Sequence, residues 1–253
     1  MAGHSHSANI KHRKDRVNAL KAKVFSKIAR MIIVAAKLGG GDPDANPRLR
    51  LALEKARAAS MPKDNVNRAI KKGVGGTEGA DYVELLYEGY GAGGVALLID
   101  ILTDNRNRTA PEIRKIFEKA GGNLATSGAV AYMFQRKSIY DVEPQEDLDE
   151  DALMESVLES GAEDLVESGG VYRIYGDPGA FIEIREALDA QGVSLSGAAV
   201  GYAPDTTVEV TDVGVARKII RILEAIEEND DVQGVFSNHA FSEEVAGQLA
   251  EDV

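Results

Sequence analysis

Near residue 79 the hydrophobic period of this 253-residue chain changes, so unlike structures must lie on either side. Upstream, Val17, Leu20, Val24, Ile28, Met31, Ala35 and Leu38 recur at steps of three and four, which predicts a helix over about 12–38. Gly39, Gly40 and Gly41 end it, with Asp42-Pro43 beyond. Asn46-Pro47 reads as the N-cap and first-turn proline of a second helix reaching about Ala59. Pro62 opens a third, with Val66, Ala69 and Ile70 as its apolar stripe and Gly73 as its stop. Three helices with short connections predict a small bundle, preceded by a flexible arm over residues 1–10. The glycine-rich stretch 75–79 reads as a linker.

Downstream the pattern is strand-like. Residues 82–88 predict a strand, 89–94 a glycine turn, and 95–102 (VALLIDIL) a strand buried on both faces. Thr109 with Glu112 fits a capping box for a helix to Ala120, stopped by Gly121-Gly122, and 129–135 predicts another strand. Residues 138–204 then read β-α-β-β-α-β, the ferredoxin-like pattern, with a hairpin turn at Ser168-Gly169-Gly170. A helix over 213–228 and a strand over 232–236 follow. Neither is needed by the ferredoxin-like unit, so they are expected to return to the preceding one. The fold class is therefore α+β and multidomain: an N-terminal three-helix bundle, an α+β domain, and a ferredoxin-like α+β domain inserted in it. The expected division is 1–78, then 79–134 with 206–253, and 135–205.

Charge divides the chain at the same place. The net charge is −12, yet residues 1–78 hold 17 Lys and Arg against 6 Asp and Glu, net +11. Segments 79–134, 135–205 and 206–253 carry −2, −13 and −8. A basic third on an acidic body is the asymmetry of a polyanion binder. The candidate nucleic-acid contacts are Lys11, His12, Arg13, Lys14, Lys21, Lys23, Lys27 and Arg30 along the first helix. Arg48, Arg50, Lys63, Arg68, Lys71 and Lys72 extend the patch. Such cations bind phosphates by charge and counterion release. Of fourteen Phe and Tyr residues, only Phe25 lies within 1–78, so the pattern favours gripping the backbone of a duplex or a folded RNA over splaying single-stranded bases. The 103–109 segment (TDNRNRT) adds Arg106 and Arg108, either as a salt-bridged polar loop or as a further phosphate or protein contact. The acidic ferredoxin-like domain lacks an aromatic RNA-binding pattern and would repel a phosphate chain.

Other chemistry finds little support. Gly89, Gly91 and Gly94 satisfy G-x-G-x-x-G, but a strand rather than a helix follows, so a hairpin turn is expected there. The absence of cysteine excludes disulfides, a thiol nucleophile and thiolate metal sites. His4, His6 and His12 sit near one another in sequence without a matching set of carboxylates, and His239 stands alone, so no metal is expected. Carboxylate pairs such as Asp230-Asp231 and Glu243-Glu244 read as solvated surface. No nucleophile, base and oxyanion donor assemble, so neither a catalytic role nor a cofactor is expected. No apolar run reaches membrane length and the opening residues lack a secretory core, so a cytoplasmic protein with no membrane partner is expected. The competing readings are an enzyme using the acidic domains, and an interaction scaffold whose basic end meets an acidic protein.

Several segments resemble the YebC/PmpR family. They are the opening MAGHS and residues 8–14 (ANIKHRK), 39–50 (GGGDPDANPRLR), 61–65 (MPKDN), 68–73 (RAIKKG), 87–95 (YEGYGAGGV), 102–109 (LTDNRNRT), 121–124 (GGNL) and 231–236 (DVQGVF). The chain departs at His6-Ser7, where that family usually carries Lys-Trp. The resemblance implies the same three-part α+β architecture and a non-enzymatic cytoplasmic role in gene expression. Bacterial members are named as transcriptional regulators that bind DNA. The resemblance also implies an alternative, translational activation on ribosomal RNA and the ribosome, with relief of stalling at proline-rich stretches. A monomer is the expected state. The charge pattern fits promoter DNA and ribosomal RNA alike.

The linker generates a test. Limited proteolysis is expected to cut near residues 75–79 and leave an acidic fragment that stays folded. A chain that resists cleavage and melts only as one unit contradicts it.

Overall fold

The computed structural model describes residues 4–75, 81–143, 150–168 and 171–251, with the side chains of all these except 4–20, 150–151, 167–168, 171 and 251. Residues 76–79 of the expected linker and the Gly169-Gly170 turn lie outside the described residues. The chain forms two compact units. One comprises Met1–Leu85, Ile101–Thr109 and Glu228–Gln233; the other comprises Leu86–Asp100, Ala110–Glu227 and Gly234–Val253.

The first unit contains α1 (His4–Gly39), α2 (Pro47–Ala58) and α3 (Lys63–Val74). No glycine or proline interrupts residues 4–38, and the helix begins at His4, so the expected arm is helical from that residue. Ile28, Ile32, Ile33 and Ala35 of α1 bury against Leu49, Ala52 and Ala56 of α2 and Ala69 of α3. Val66 and Ile70 pack on the same core, as their spacing predicts. Val24 and Leu38, read as stripe residues, are exposed instead; the buried face uses Ile32 and Ile33. Asn46 caps α2 by accepting from the Leu49 backbone N–H at 3.0 Å. Its side-chain amide donates to the carbonyls of Ala35 (2.9 Å) and Gly40 (2.8 Å), so one buried side chain ends α1 and starts α2.

Gly73 does not stop α3, which continues through Val74. It lets two helices meet: a Cβ there would lie 2.5 Å from the Ile33 carbonyl and 2.7 Å from Ala36 Cβ. Proximity to α1, rather than backbone freedom, requires glycine at this position.

The following elements are β1 (Val83–Tyr90), β2 (Ala96–Thr103), α4 (Arg106–Lys119), β3 (Asn123–Leu124) and β4 (Phe134–Val142). Then come α5 (Glu150–Leu158), β5 (Ala162–Ser168), β6 (Val171–Gly176), α6 (Phe181–Ala190) and β7 (Leu195–Pro204). The chain closes with β8 (Val208–Val210), α7 (Val213–Glu227), β9 (Val232–Ser237), β10 (His239–Phe241) and α8 (Glu243–Glu251). One four-stranded sheet has the order β3-β1-β2-β9, a second β5-β6-β4-β7, and β8 and β10 form a parallel pair. In the second sheet all pairs are antiparallel, and its order along β4-α5-β5-β6-α6-β7 is the ferredoxin-like one. The return of β9 to β2 makes that unit an insertion. β2 is buried on both faces, as its apolar run predicts.

Two expected features change. The helix α4 starts at Arg106, and Asn105 is its cap, accepting from the Arg108 N–H at 3.1 Å. Thr109 therefore lies inside the helix instead of capping it. Residues 129–133 are not a strand. The buried Glu88 carboxylate takes the backbone N–H groups of Gly128 (2.6 Å), Val130 (2.6 Å) and Ala131 (2.8 Å), bending this segment around itself. Burial pushes that carboxyl up, but these backbone donors outweigh it and hold it below the ordinary range. The glycine motif is a hairpin turn, as expected: Gly93 and Gly94 have φ of 70° and 75° immediately before β2. Beyond the sequence reading, β8, β10 and α8 add a small layer in the second unit, where Val210, Phe241 and Val245 pack with Ala216 and Ile219 of α7.

The close approach at Gly73 predicts opposite outcomes for two Gly→Ala changes. Gly73→Ala should destabilise by roughly 1–3 kcal/mol through overpacking. Gly247→Ala, in α8 with open space at its Cβ, should stabilise by about 0.5–1 kcal/mol. Urea unfolding of both variants checks the contrast.

Candidate nucleic-acid interface

The first unit gathers most of the candidate cations onto three helices, and their partners divide them. Lys21 on α1, Lys63, Lys71 and Lys72 on α3, and Arg106 at the start of α4 are exposed and make no ion pair among the described residues. Arg68 is exposed and uses neutral acceptors: the Asp64 carbonyl at 3.3 Å and the Asn65 side-chain oxygen. Lys23 reaches the Glu228 carbonyl at 3.4 Å. Lys27 and Arg50 are half-buried, and the Arg50 Nε is buried without a hydrogen-bond acceptor. The side chains of Lys11, His12, Arg13 and Lys14 lie outside the described residues.

Carboxylates hold the rest. Arg48 pairs with Glu84, and Lys37 with Asp81 at 2.6 Å. Arg30 and Arg108 converge on one carboxylate, Asp231, which is 3% exposed. Arg30 donates to Asp231 Oδ1 at 2.8 Å and to the Asp230 carbonyl at 2.6 Å, with its guanidinium 5.9 Å from the Tyr82 ring centre. Arg108 donates to Asp231 Oδ2 at 2.7 Å and to Asp104 at 3.0 Å. The hydroxyls of Thr103 (3.0 Å) and Thr109 (2.7 Å) donate to Oδ2, and the Leu102 N–H donates to the Asp231 carbonyl at 2.8 Å. Burial pushes the Asp231 carboxyl up, but donors from Arg108, Thr109 and Thr103 outweigh it and hold the group below the usual carboxylate range.

This cluster corrects one reading and bears on another. Asp231 is a buried anchor rather than solvated surface, and of the two readings of the 103–109 segment the salt-bridged one holds at Arg108. Arg30 and Arg108 thus serve structure first, and the cations left open to a polyanion are mainly lysines. The sequence reading missed Asp231 because its partners lie between 122 and 201 residues away. The only available signal was that Asp231, Thr103, Arg108 and Thr109 all fall in the segments 102–109 and 231–236.

The sequence family described as TACO1/YebC protein N-terminal domain matches residues 5–76, and that described as TACO1/YebC second and third domain matches 82–239. A "Probable transcriptional regulatory protein" of Halothermothrix orenii is 48% identical over 253 residues, covering all of both chains. One of the same name from Treponema denticola is 51% identical over 240 residues, covering 94% of this chain and 96% of its own. The crystal structure of a conserved hypothetical protein from Aquifex aeolicus superposes with a TM-score of 0.79 at 46% identity, over 90% of this chain and 93% of that one.

The Asp231 cluster makes stability depend on acid. A carboxyl whose pKa falls on folding stabilises fully above its unfolded value and loses that contribution as pH falls through the folded one. The loss should begin as pH approaches the ordinary value of 3.8 and be complete below the lowered native value. Asp231→Ala should cost about 2–4 kcal/mol at neutral pH by leaving two guanidinium groups without their shared partner. The same variant should flatten this part of the acid limb in urea unfolding curves measured across pH.

Proposed function

Since the chain belongs to the TACO1/YebC family, we propose that it is a non-enzymatic regulator of gene expression that binds DNA through the basic surface of its N-terminal helices. The observation that carries this reading is the set of exposed lysines without carboxylate partners on α1 and α3: Lys21, Lys63, Lys71 and Lys72. Relatives named as probable transcriptional regulatory proteins support it. We include in the proposal a cytoplasmic, monomeric protein and the three-part division at 1–78, 79–134 with 206–253, and 135–205. The family matches, which break between residues 76 and 82, support the first of those boundaries. No helix among the described residues is long and apolar enough to cross a membrane.

The test is a salt titration of affinity for duplex DNA, with a ribosomal RNA fragment as the parallel arm. Five or so neutralised phosphates give a log–log slope of about −4 to −5 on duplex DNA. Lys21→Ala and Lys71→Ala should each make it shallower by about one unit, alike across sequences, and leave melting unchanged. A salt-insensitive affinity overturns the proposal. Tight binding confined to the RNA arm moves the target from DNA to RNA while keeping the surface.

A further inference from the structure

The open cations explain how a phosphate chain would be held, but α1 and α3 also enclose a feature that charge alone does not require. Between them lies a groove of about 420 Å³. Phe25 and Ala29 of α1 and Met61 before α3 supply its apolar surface, and Asn65, Arg68 and Lys72 line it from α3. Phe25 is the aromatic residue that the first 78 positions retain, and it lies half-exposed here rather than in the core of the bundle.

We propose that this groove seats one unpaired nucleobase of a bound strand against the Phe25 ring, with Arg68 and Lys72 holding the phosphates beside it. The inference rests on the nucleic-acid reading above and names what that surface takes. Three observations support it. First, the lining is apolar with cationic members and contains no carboxylate, so its charge complements a phosphodiester. Second, Arg68 and Lys72 stand one helical turn apart, with about 5–6 Å between Cβ atoms at that spacing, so two cations follow one side of the groove. Arg68 meets only neutral acceptors and Lys72 forms no ion pair among the described residues, so neither charge is cancelled in place. Third, Asn65 uses its side-chain oxygen to accept from Arg68, which leaves its amide hydrogens for a base edge. The volume suits one nucleotide. An amphipathic helix from a protein would need a longer apolar track, with anchors at successive turns.

The chain contains no tryptophan, so Phe25→Trp places in the groove the one indole of the variant, whose emission is excited selectively over that of the tyrosines. The experiment uses the full chain, a single-stranded RNA of about ten nucleotides, the same strand with abasic sites, and a blunt duplex DNA of the same sequence. The single strand should quench the Phe25→Trp emission, and the abasic strand should not. Phe25→Ala should weaken single-strand binding about five- to 150-fold, with the salt slope and the duplex affinity unchanged. Lys72→Ala should instead make the slope shallower. Thermal melts of each variant confirm that the bundle is intact. If Phe25→Ala binds the single strand as the unaltered chain does, and no quenching occurs, the groove proposal is overturned while the basic surface stands. If the unaltered chain binds neither strand nor duplex, both readings fail. If an acidic amphipathic peptide quenches the emission and the RNA does not, the groove belongs to a protein partner and the proposal is overturned.

Discussion

A carboxylate taken out of water is tolerated only when charges and hydrogen-bond donors replace the solvent it has lost. Asp231, the residue preceding β9, meets that condition through Arg30, Arg108, Thr103 and Thr109, drawn from α1, the end of β2 and the first turn of α4. An apolar cluster of equal volume could hold these segments together as strongly. The carboxylate adds direction. Its two oxygens fix where each guanidinium lies and therefore how α1 passes the β2–α4 connection within the first unit. Thr109 also accounts for the early start of α4: its hydroxyl faces Asp231 and the Asn105 carbonyl, so Asn105 takes the capping role that spacing had given to the threonine.

The same cluster changes what the basic composition means. A charge count over residues 1–78 treats every lysine and arginine alike. In the folded first unit, Arg30, Lys37 and Arg48 are neutralised by Asp231, Asp81 and Glu84, all of which lie beyond residue 78. The first unit as a whole holds 19 basic and 12 acidic residues, net +7, where the segment count gave +11. It remains basic, but its free charge is concentrated in fewer side chains. Among the described residues of the first unit, Arg30, Arg48 and Arg108 are held by carboxylates, whereas Lys21, Lys63, Lys71 and Lys72, compact and mobile point charges, form no ion pair. That division suits contact with a phosphate backbone and offers few rigid bidentate readers of base edges.

Legibility followed sequence distance. The cap at Asn46, the helix stripes around Ala69 and the ferredoxin-like strand order were readable because each depends on neighbours a few residues away or on a repeating period. The strand expected over 129–135 failed over 129–133 because Glu88, some forty residues earlier, takes the backbone donors there, and only Phe134 and Gln135 lie in a strand, β4. β8 and β10 are three residues each and pair with one another across α7, too short to show a period. The candidate site was legible as a list of cations. Which cations are open could not be read, because that is decided by carboxylates up to 201 residues distant.

Gly73 connects packing to the binding surface. Without a side chain there, α3 lies close enough to α1 for backbone and Cβ atoms to touch, and Ala69 one turn earlier continues the contact. A short helix with one small-residue face pressed on its neighbour must turn its other faces outward, and on those α3 carries Lys63, Arg68, Lys71 and Lys72. The groove beside Phe25 lies along the same α1–α3 contact. A larger residue at position 73 would push the helices apart, widening the groove and moving Arg68 and Lys72 away from the aromatic ring. The glycine that looked like a helix stop is therefore the residue that sets the spacing between the apolar floor and its flanking charges.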